Sequence, residues 1–480
     1  ATGINITGAA ELNISSIVNT TKLTSLDASA LTGKLTVTGL DASKLVLKAG
    51  SKDTVVTIAG LNNDDQLIGG AGTKDYVTAT AISGLTATTG KLNIQDFEDV
   101  ELNVSDTTTN TIDTSLMTGV SILSLSGADP GVQTITGVPV GMKISLGDDA
   151  AEMDGNTDLD ISLADETGAD DTLTVVVNNE GGNATDADLL VSSTVENLVL
   201  EVEDADANAY HATVTMDKAK QSKVTITGGN AAATLTLGSL ADETTTIDAS
   251  ALSTALVFDA GTSSDALALT ITAGASLAAS DFDLSPKNDT VTIASTGDVD
   301  VDVDGKAGTD VLNLTVETGF QDTGEIDNVE TINITVAAGD DIIIGETNTE
   351  VDGIDDAKTV TLTGGNALST FTVGVVGTDV IDANVLTSFD ASTFEGNIAL
   401  AYGTDDFTSA DVVKAGSLTT DTIDATYDTA ATYTPATTGI DSITATLDSG
   451  STGSETYTID VANATGLTSL KLDSPVAISD

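Results

Sequence analysis

Apolar and polar residues alternate along most of this chain, in short runs separated by Gly, Asn and Asp. Alternation with a period of two predicts β-strands that bury one face. The opening residues already show this pattern, with Ile4 and Ile6 followed by Leu12 and Ile14. A helical period is almost absent, and the one helix candidate covers residues 205–222. The pattern therefore predicts an all-β protein.

An Asp-Ala-Ser motif recurs along the chain, beginning at Asp27, Asp41, Asp248 and Asp390. Each copy follows an apolar residue and leads into renewed alternation. One rung of a stacked sheet needs this arrangement, with inward side chains at period two and a corner of small residues. The motif favours a repetitive β structure.

Three further markers recur in a fixed order. A short Asp-Thr-apolar strand start lies at Asp53, Asp289 and Asp421, a Gly-x-Asp or Gly-x-x-Asp element follows, and Glu-marked strands begin at Phe97, Val195 and Val329. Residues 223–238 and 359–374 also resemble each other. These spacings predict an N-terminal cap at 1–26 and four β modules at 27–115, 116–245, 246–385 and 386–480. We expect an elongated β-solenoid similar to a parallel β-helix, and tandem antiparallel β-sandwiches remain an alternative.

The charge of the chain narrows the possible partners. Asp and Glu number 74 against 16 basic residues, every one of them Lys, and the net charge is −58. Nucleic-acid binding needs a Lys/Arg surface that replaces phosphate counterions, and anionic membranes attract basic segments, so we expect neither partner. The chain has no Cys and no apolar run long enough for a transmembrane helix.

The sharpest candidate for chemistry is the loop at residues 63–75, which combines carboxylates with glycines. Calcium prefers six to eight oxygen ligands from carboxylates and main-chain carbonyls. Asp64, Asp65 and Asp75 offer the charge, and Gly70 and Gly72 permit a tight backbone. The loop therefore predicts a Ca²⁺ site, and a plain Asp/Gly turn between strands is the alternative.

Other acidic clusters are candidates for the same ion. Each one alone is typical of a solvated face, but their recurrence in successive modules favours a shared cation role. Their candidate metal-binding residues are Asp148, Asp149, Asp170, Asp171, Asp302, Asp304, Asp310, Asp340, Asp341, Asp405 and Asp406.

The chain has few residues of the types that usually carry catalysis. His211 is the only histidine, there is no thiol, and its neighbours offer no nucleophile motif. Carbohydrate sites favour aromatic platforms, and this chain has no Trp. We expect that the protein is not an enzyme, and a carbohydrate-active β-helix is the least favoured alternative.

Two features carry a family resemblance. Gly69, Gly70, Gly72 and Asp75 resemble the RTX calcium repeat, although Lys74 stands where that repeat has its Asp. With the Asp-Ala-Ser motifs and the Glu-marked strands, residues 20–475 are similar to RTX-related surface-layer proteins of Gram-negative bacteria.

The resemblance implies an exported, extracellular subunit of a calcium-dependent surface layer at the cell surface. Its partners would be further copies of itself, in a lattice or filament, and lipopolysaccharide or another cell-surface glycan. A biofilm-matrix protein or adhesin segment is the alternative, because it would share the acidic β architecture.

Overall fold

A computed structural model of the chain describes most of its residues. The described ranges are 2–15, 17, 22–41, 44–104, 109–127, 132–146, 157–168, 170–178, 187–193, 195–203, 211–216, 222–229, 234–237, 246–252, 255–259, 270–273, 280–284, 286–295, 301–316, 321–322, 326–336, 342–344, 357–367, 369–373, 386–404, 407–408, 411–416, 418, 420–428, 431–447 and 457–473. Two compact units divide the chain, an N-terminal unit at Ala1–Thr244 and a C-terminal unit at Thr245–Asp480. The prediction of four modules and a cap stays a prediction.

The N-terminal unit contains 21 described strands. One long wall contains β2 (Leu12–Ile14), β4 (Leu35–Asp41), β6 (Thr54–Ala59), β8 (Tyr76–Ile82), β10 (Asp99–Val104), β12 (Ile122–Ser126), β14 (Lys143–Leu146), β16 (Thr172–Asn178), β18 (Asn197–Glu203) and β20 (Lys223–Gly228). The intervening strands form two further sheets, first β1 (Gly3–Gly8), β3 (Ser25–Leu31), β5 (Val46–Lys48), β7 (Gln66–Ile68) and β9 (Asn93–Gln95), then β11 (Asn110–Asp113), β13 (Gln133–Val138), β15 (Thr157–Leu163), β17 (Ala187–Ser193), β19 (His211–Met216) and β21 (Thr234–Leu237).

The C-terminal unit repeats this plan. Its long wall contains β22 (Thr246–Leu252), β24 (Thr270–Ala273), β26 (Thr290–Ser295), β28 (Val311–Val316), β31 (Thr331–Val336), β33 (Thr359–Gly364), β35 (Ser388–Phe394), β37 (Val412–Lys414) and β40 (Ala436–Thr438). The other sheets contain β23 (Ala255–Asp259), β25 (Ser280–Asp283), β27 (Val301–Asp304) and β30 (Ile326–Asp327); β29 (Gln321–Asp322), β32 (Ile342–Ile344), β34 (Thr370–Val373), β36 (Asn397–Thr404), β38 (Thr422–Tyr427), β41 (Ser442–Leu447) and β43 (Ser469–Asp473); and the pair β39 (Thr432–Tyr433) and β42 (Thr458–Ile459).

The pairings between described strands are parallel, and each joins a strand to its counterpart one turn of chain later. The turn from β6 to β8, for example, aligns Val56 with Val77, and the next aligns Val77 with Val100. The chain is therefore an all-β solenoid of stacked parallel sheets. This confirms the solenoid prediction, and the alternative of tandem antiparallel sandwiches is wrong.

The core of each unit consists of columns of aliphatic side chains, one from each rung. Val56, Val77, Val100, Leu123 and Ile144 follow one another in register and are all 0% exposed. Burial of each such side chain stabilises the fold by about 1.5–3 kcal/mol relative to exposure. Period-two alternation places these residues inside because successive side chains of a strand point to opposite faces.

No α-helix occurs in the described part of the chain. The helix candidate at 205–222 is wrong for His211–Met216, which form β19. In that segment Ala212, Val214 and Met216 alternate with polar residues, and pairing with β17 on one side and β21 on the other decides the structure. A helix long and apolar enough to cross a lipid bilayer is likewise missing from the described residues.

Candidate functional site: the acidic corners

The Asp-Ala-Ser motif forms a bulge within a strand. In β3, β22 and β35 the burial pattern is the same, with two successive outward residues before the last inward one. The Asp27 carboxylate accepts hydrogen bonds from the backbone N–H of Ser29 at 3.0 Å and from its hydroxyl at 2.6 Å. Asp248 binds Ser250 in the same way, and Asp390 binds Ser392. Each of these three carboxylates is therefore hydrogen-bonded within its own motif.

The same hydrogen bonds explain the acidity of these groups. The hydroxyl and then the backbone N–H of Ser29 lower the pKa of Asp27 from its ordinary value. The ammonium of Lys414, 2.7 Å away, and the hydroxyl of Ser392 lower the pKa of Asp390 to about 2.

A second kind of acid stands at the residue just before a strand. Asp75 precedes β8, and its Oδ1 accepts a hydrogen bond of 2.6 Å from the backbone N–H of Thr54, one rung earlier. The backbone N–H of Asp75 in turn donates to Glu98 Oε2 at 2.6 Å, and Glu98 precedes β10 one rung later. Each acid thus caps the backbone of the rung before it. We call Thr54, Asp75 and Glu98 the N-terminal corner column.

The C-terminal unit contains two columns of the same design. In the first, Asp289 donates its N–H to Asp310 at 2.7 Å, and Asp310 donates its N–H to Glu330 at 2.8 Å. In the second, Ile398 donates to Asp421 at 2.8 Å, and Asp421 donates to Asp441 at 3.2 Å.

A related contact in the N-terminal unit joins Asp171, before β16, to Glu196, before β18. The backbone N–H of Asp171 donates to Glu196 at 3.2 Å, and Asp171 Oδ2 accepts from the N–H of Gly168 at 3.1 Å. The Gly-x-Asp and Gly-x-x-Asp elements and the Glu-marked strands of the sequence are therefore consecutive rungs at one kind of corner.

The central carboxylate of each column keeps one oxygen unused. Oδ2 of Asp75, of Asp310 and of Asp421 is buried and has no hydrogen-bond partner among the described residues. The three residues are at most 1% exposed. An unpaired buried oxygen on an ionised group is costly, because a low-polarity environment solvates the charge poorly.

The environment raises the pKa of all three central carboxyls to about 6. Desolvation by burial is the largest cause in each case. Neighbouring acids add to it: Glu98 and Asp53 act on Asp75, and Asp441 acts on Asp421. Hydrogen bonds from backbone N–H groups oppose these effects only in part.

The glycine-rich loop at 63–75 also serves a corner. Asp65 is 2% exposed and accepts from the backbone N–H of Leu45 at 2.8 Å and of Asn62 at 3.1 Å, so both of its oxygens bind the main chain. Burial is the main reason that its pKa is raised. Asp64 lies on the surface, with an oxygen 3.4 Å from the Lys44 ammonium. Asp64 and Asp65 thus serve different partners.

The glycines of this loop allow a close approach to neighbouring rungs. A Cβ on Gly70, whose φ is +109°, would lie 2.0 Å from the carbonyl oxygen of Gly50. A Cβ on Gly72 would lie 2.7 Å from Asp75 Oδ1. Close packing of the corner accounts for both residues.

The other candidates in the sequence have separate environments. Asp170 and Asp171 lie just before β16, and Asp302 and Asp304 lie in β27. Burial opposes ionisation of Asp304, but hydrogen bonds from Lys306 and Asn328 lower its pKa overall. Six of the predicted residues lie outside the described residues: Asp148, Asp149, Asp340, Asp341, Asp405 and Asp406.

Within the described ranges, no group of three or more His, Asp or Glu residues has the geometry to hold a metal ion. The arrangement instead brings carboxylates together in pairs on successive rungs. Sequence reasoning named Asp75 and Asp310 but missed Asp421 and their capping neighbours Glu98 and Glu330. The available signal was position, because each of these acids immediately precedes a strand.

Comparison with known proteins adds no relative: no family model, no curated protein and no solved structure matches the chain.

Proposed function

We propose that the protein is a structural, non-catalytic subunit of an extracellular surface layer, and that calcium controls its assembly with further copies of itself. The observation that supports this most is the pairing of acids on successive rungs of the corner columns. Their unused buried oxygens leave negative charge without a protein partner.

Electrostatics gives the reason for a cation. Neighbouring parallel strands lie about 4.7–4.9 Å apart, so acids on successive rungs of one corner repel each other. The net charge of −58 also makes copies of the chain repel each other. A divalent cation would reduce both the repulsion between acids of one corner and the repulsion between copies of the chain.

Calcium suits these corners better than a transition metal. It accepts hard oxygen ligands in flexible geometry and completes its shell with carbonyls and water. The central Asp of each column is buried, so a carboxylate of a second copy would have to reach the ion from the side of the partly exposed neighbouring acid, such as Glu330. Water and the main chain would complete the shell. Assembly would then depend on calcium directly.

The test is removal of the metal. Excess EGTA is expected to disperse the assembled protein into soluble subunits and to lower its melting temperature, as followed by negative-stain microscopy, light scattering and calorimetry. Sodium at matched ionic strength is expected not to replace calcium, because it screens charge without bridging carboxylates. Sheets or filaments that persist unchanged in excess EGTA would contradict the proposal.

A variant connects the effect to the corners. Combined Asp75→Asn, Asp310→Asn and Asp421→Asn substitutions are expected to reduce the rise in melting temperature that calcium produces. Asp41→Asn, at an exposed position of β4 outside the predicted metal sites, is the matched control and is expected to keep it.

A further inference from the structure

Four consecutive strands on one wall of the C-terminal unit carry no charge. The strands β26, β28, β31 and β33 are consecutive and parallel, and none of their residues is ionisable. The outward positions whose side chains are described form the neutral wall, which consists of Thr290, Thr292, Val311, Asn313, Thr315, Thr331, Asn333, Thr335, Thr359, Thr361 and Thr363.

The absence of charge is local. In the whole chain 19% of the residues are charged, and the neutral wall is flanked by Asp on both sides. Asp248 of β22 lies two rungs before Thr292 in the same register column, and Asp390 of β35 lies directly after Thr361. The corresponding wall of the N-terminal unit instead carries Glu101 and a Lys143–Glu201 ion pair.

The polar groups of the neutral wall bond to one another along the columns. Asn333 Nδ2 donates to Asn313 Oδ1 at 3.0 Å, and Asn313 Nδ2 donates to Thr292 Oγ1 at 3.3 Å. The hydroxyl of Thr363 donates to that of Thr335 at 3.3 Å. Because these groups already have partners, covering the wall costs less than covering an unbonded polar surface.

We propose that the neutral wall is a contact surface between copies of this chain. Two molecules with a net charge of −58 repel each other over most of their surfaces. The repulsion acts over a Debye length of about 8 Å at physiological salt, so it is weakest where two uncharged faces meet. Two such sheets would pack face to face at about 10 Å. This inference rests on the proposed function, for which it names an interface.

The size of the wall determines how the contact acts. Four rungs at about 4.8 Å and six residues at about 3.3 Å give a face of roughly 400 Å². Stable pairwise interfaces bury about 800 Å² on each partner. The neutral wall is therefore too small to hold a dimer in dilute solution, and it adds to the calcium-dependent contacts within an assembly.

The experiment places a charge on the wall. Thr335 is exposed and lies in the third of the four strands, so Thr335→Glu puts carboxylates on both faces of the contact without disturbing the core. The matched control is Thr80→Glu, because Thr80 is an exposed threonine at the same fifth position of β8 in the N-terminal unit. Both variants are expected to keep the circular dichroism spectrum and melting temperature of the parent protein.

Assembly is measured by light scattering against protein concentration at fixed calcium. Thr335→Glu is expected to raise the concentration for half-assembly about tenfold, equal to about 1.4 kcal/mol, and Thr80→Glu is expected to leave it within about twofold. An equimolar mixture of the Thr335→Glu and Thr335→Lys proteins is expected to assemble more readily than either alone, because opposite charges then meet.

Three results separate the possible failures. Equal behaviour of Thr335→Glu and Thr80→Glu would overturn the interface while leaving calcium-dependent assembly intact. A mixture that only averages its two components would overturn contact between copies and would favour a different occupant of the wall. Failure of the parent protein to assemble with calcium at all would refute the proposed function itself.

Discussion

Substitution of Asp310 by Asn distinguishes two effects of this side chain on stability. One is the cost of its buried charge, and the other is the hydrogen bond that it accepts from the backbone of Asp289. Asn retains an Oδ1 that can accept the 2.7 Å hydrogen bond from the backbone N–H of Asp289. The substitution removes the negative charge, which burial, Asp289 and Glu330 all disfavour. It also replaces the unpartnered Oδ2 with an amide nitrogen, which adds a constant cost of about 1–3 kcal/mol if it stays unbonded.

The pH dependence of stability separates the effect of the charge from the constant cost of the unbonded amide nitrogen. The pKa of Asp310 rises from 3.8 to about 6 in the fold. At 1.36 kcal/mol for each pKa unit, this rise corresponds to about 3 kcal/mol. Between the two values the native chain holds a proton that the unfolded chain has lost. The contribution of Asp310 to the free energy of unfolding therefore falls as pH rises from about 4 through about 6 and levels off at higher pH.

The Asn variant lacks this titration, so its stability relative to the parent protein should improve by about 3 kcal/mol between about pH 4 and pH 8. For a unit of this size 1 kcal/mol shifts the melting temperature by about 2–4 °C, which predicts a relative shift of about 6–12 °C. Calorimetry of the C-terminal unit's transition measures it without competition from metal if calcium is first removed with EGTA near pH 8 and the protein is then exchanged into metal-free buffer at each pH.

A melting difference between Asp310→Asn and the parent protein that is the same at both pH values would refute the reasoning.

Three further substitutions test other parts of the fold. Gly69→Ala should lower the melting temperature strongly, because its Cβ would lie 1.9 Å from the carbonyl oxygen of Asp96; an unchanged melting curve would contradict this close packing. Ser392→Ala should cost about 0.5–1.5 kcal/mol by removing the hydroxyl bond to Asp390, measured by the same calorimetry. Leu472→Ser should leave the melting temperature unchanged, since Leu472 is 59% exposed on the last described strand.

The fold could be predicted from the sequence because the alternation of apolar and polar residues within each strand marks its buried face. Alternation at Val56 and Ile58 or at Ile332 and Ile334 marks the inward face without reference to any partner strand. The Asp-Ala-Ser bulge was equally visible, since its hydrogen bonds join residues only two apart. Local information was sufficient for both features.

The corner columns were harder to predict from the sequence because their contacts are not local. The acid and the N–H group that it caps are 20 to 25 residues apart, and only the stacking register brings Asp421 to Ile398 or Glu196 to Asp171. Burial and main-chain hydrogen bonds hold Asp65 in its corner, and its role as a metal ligand stays a prediction. The helix predicted around His211 failed because pairing with neighbouring rungs outweighs local propensity in a stacked sheet.

The direction of capping has a consequence for how such a chain can change in length. Each rung of a corner column supplies one carboxylate to the rung before it and one N–H group to the rung after it. Insertion or deletion of a whole rung conserves this exchange. A partial rung would leave a buried acid without a donor on one side and a donor without an acid on the other. Genes for this architecture can therefore gain or lose sequence in steps of 20 to 25 codons, and the spacing of the hydrogen bonds sets the size of the step.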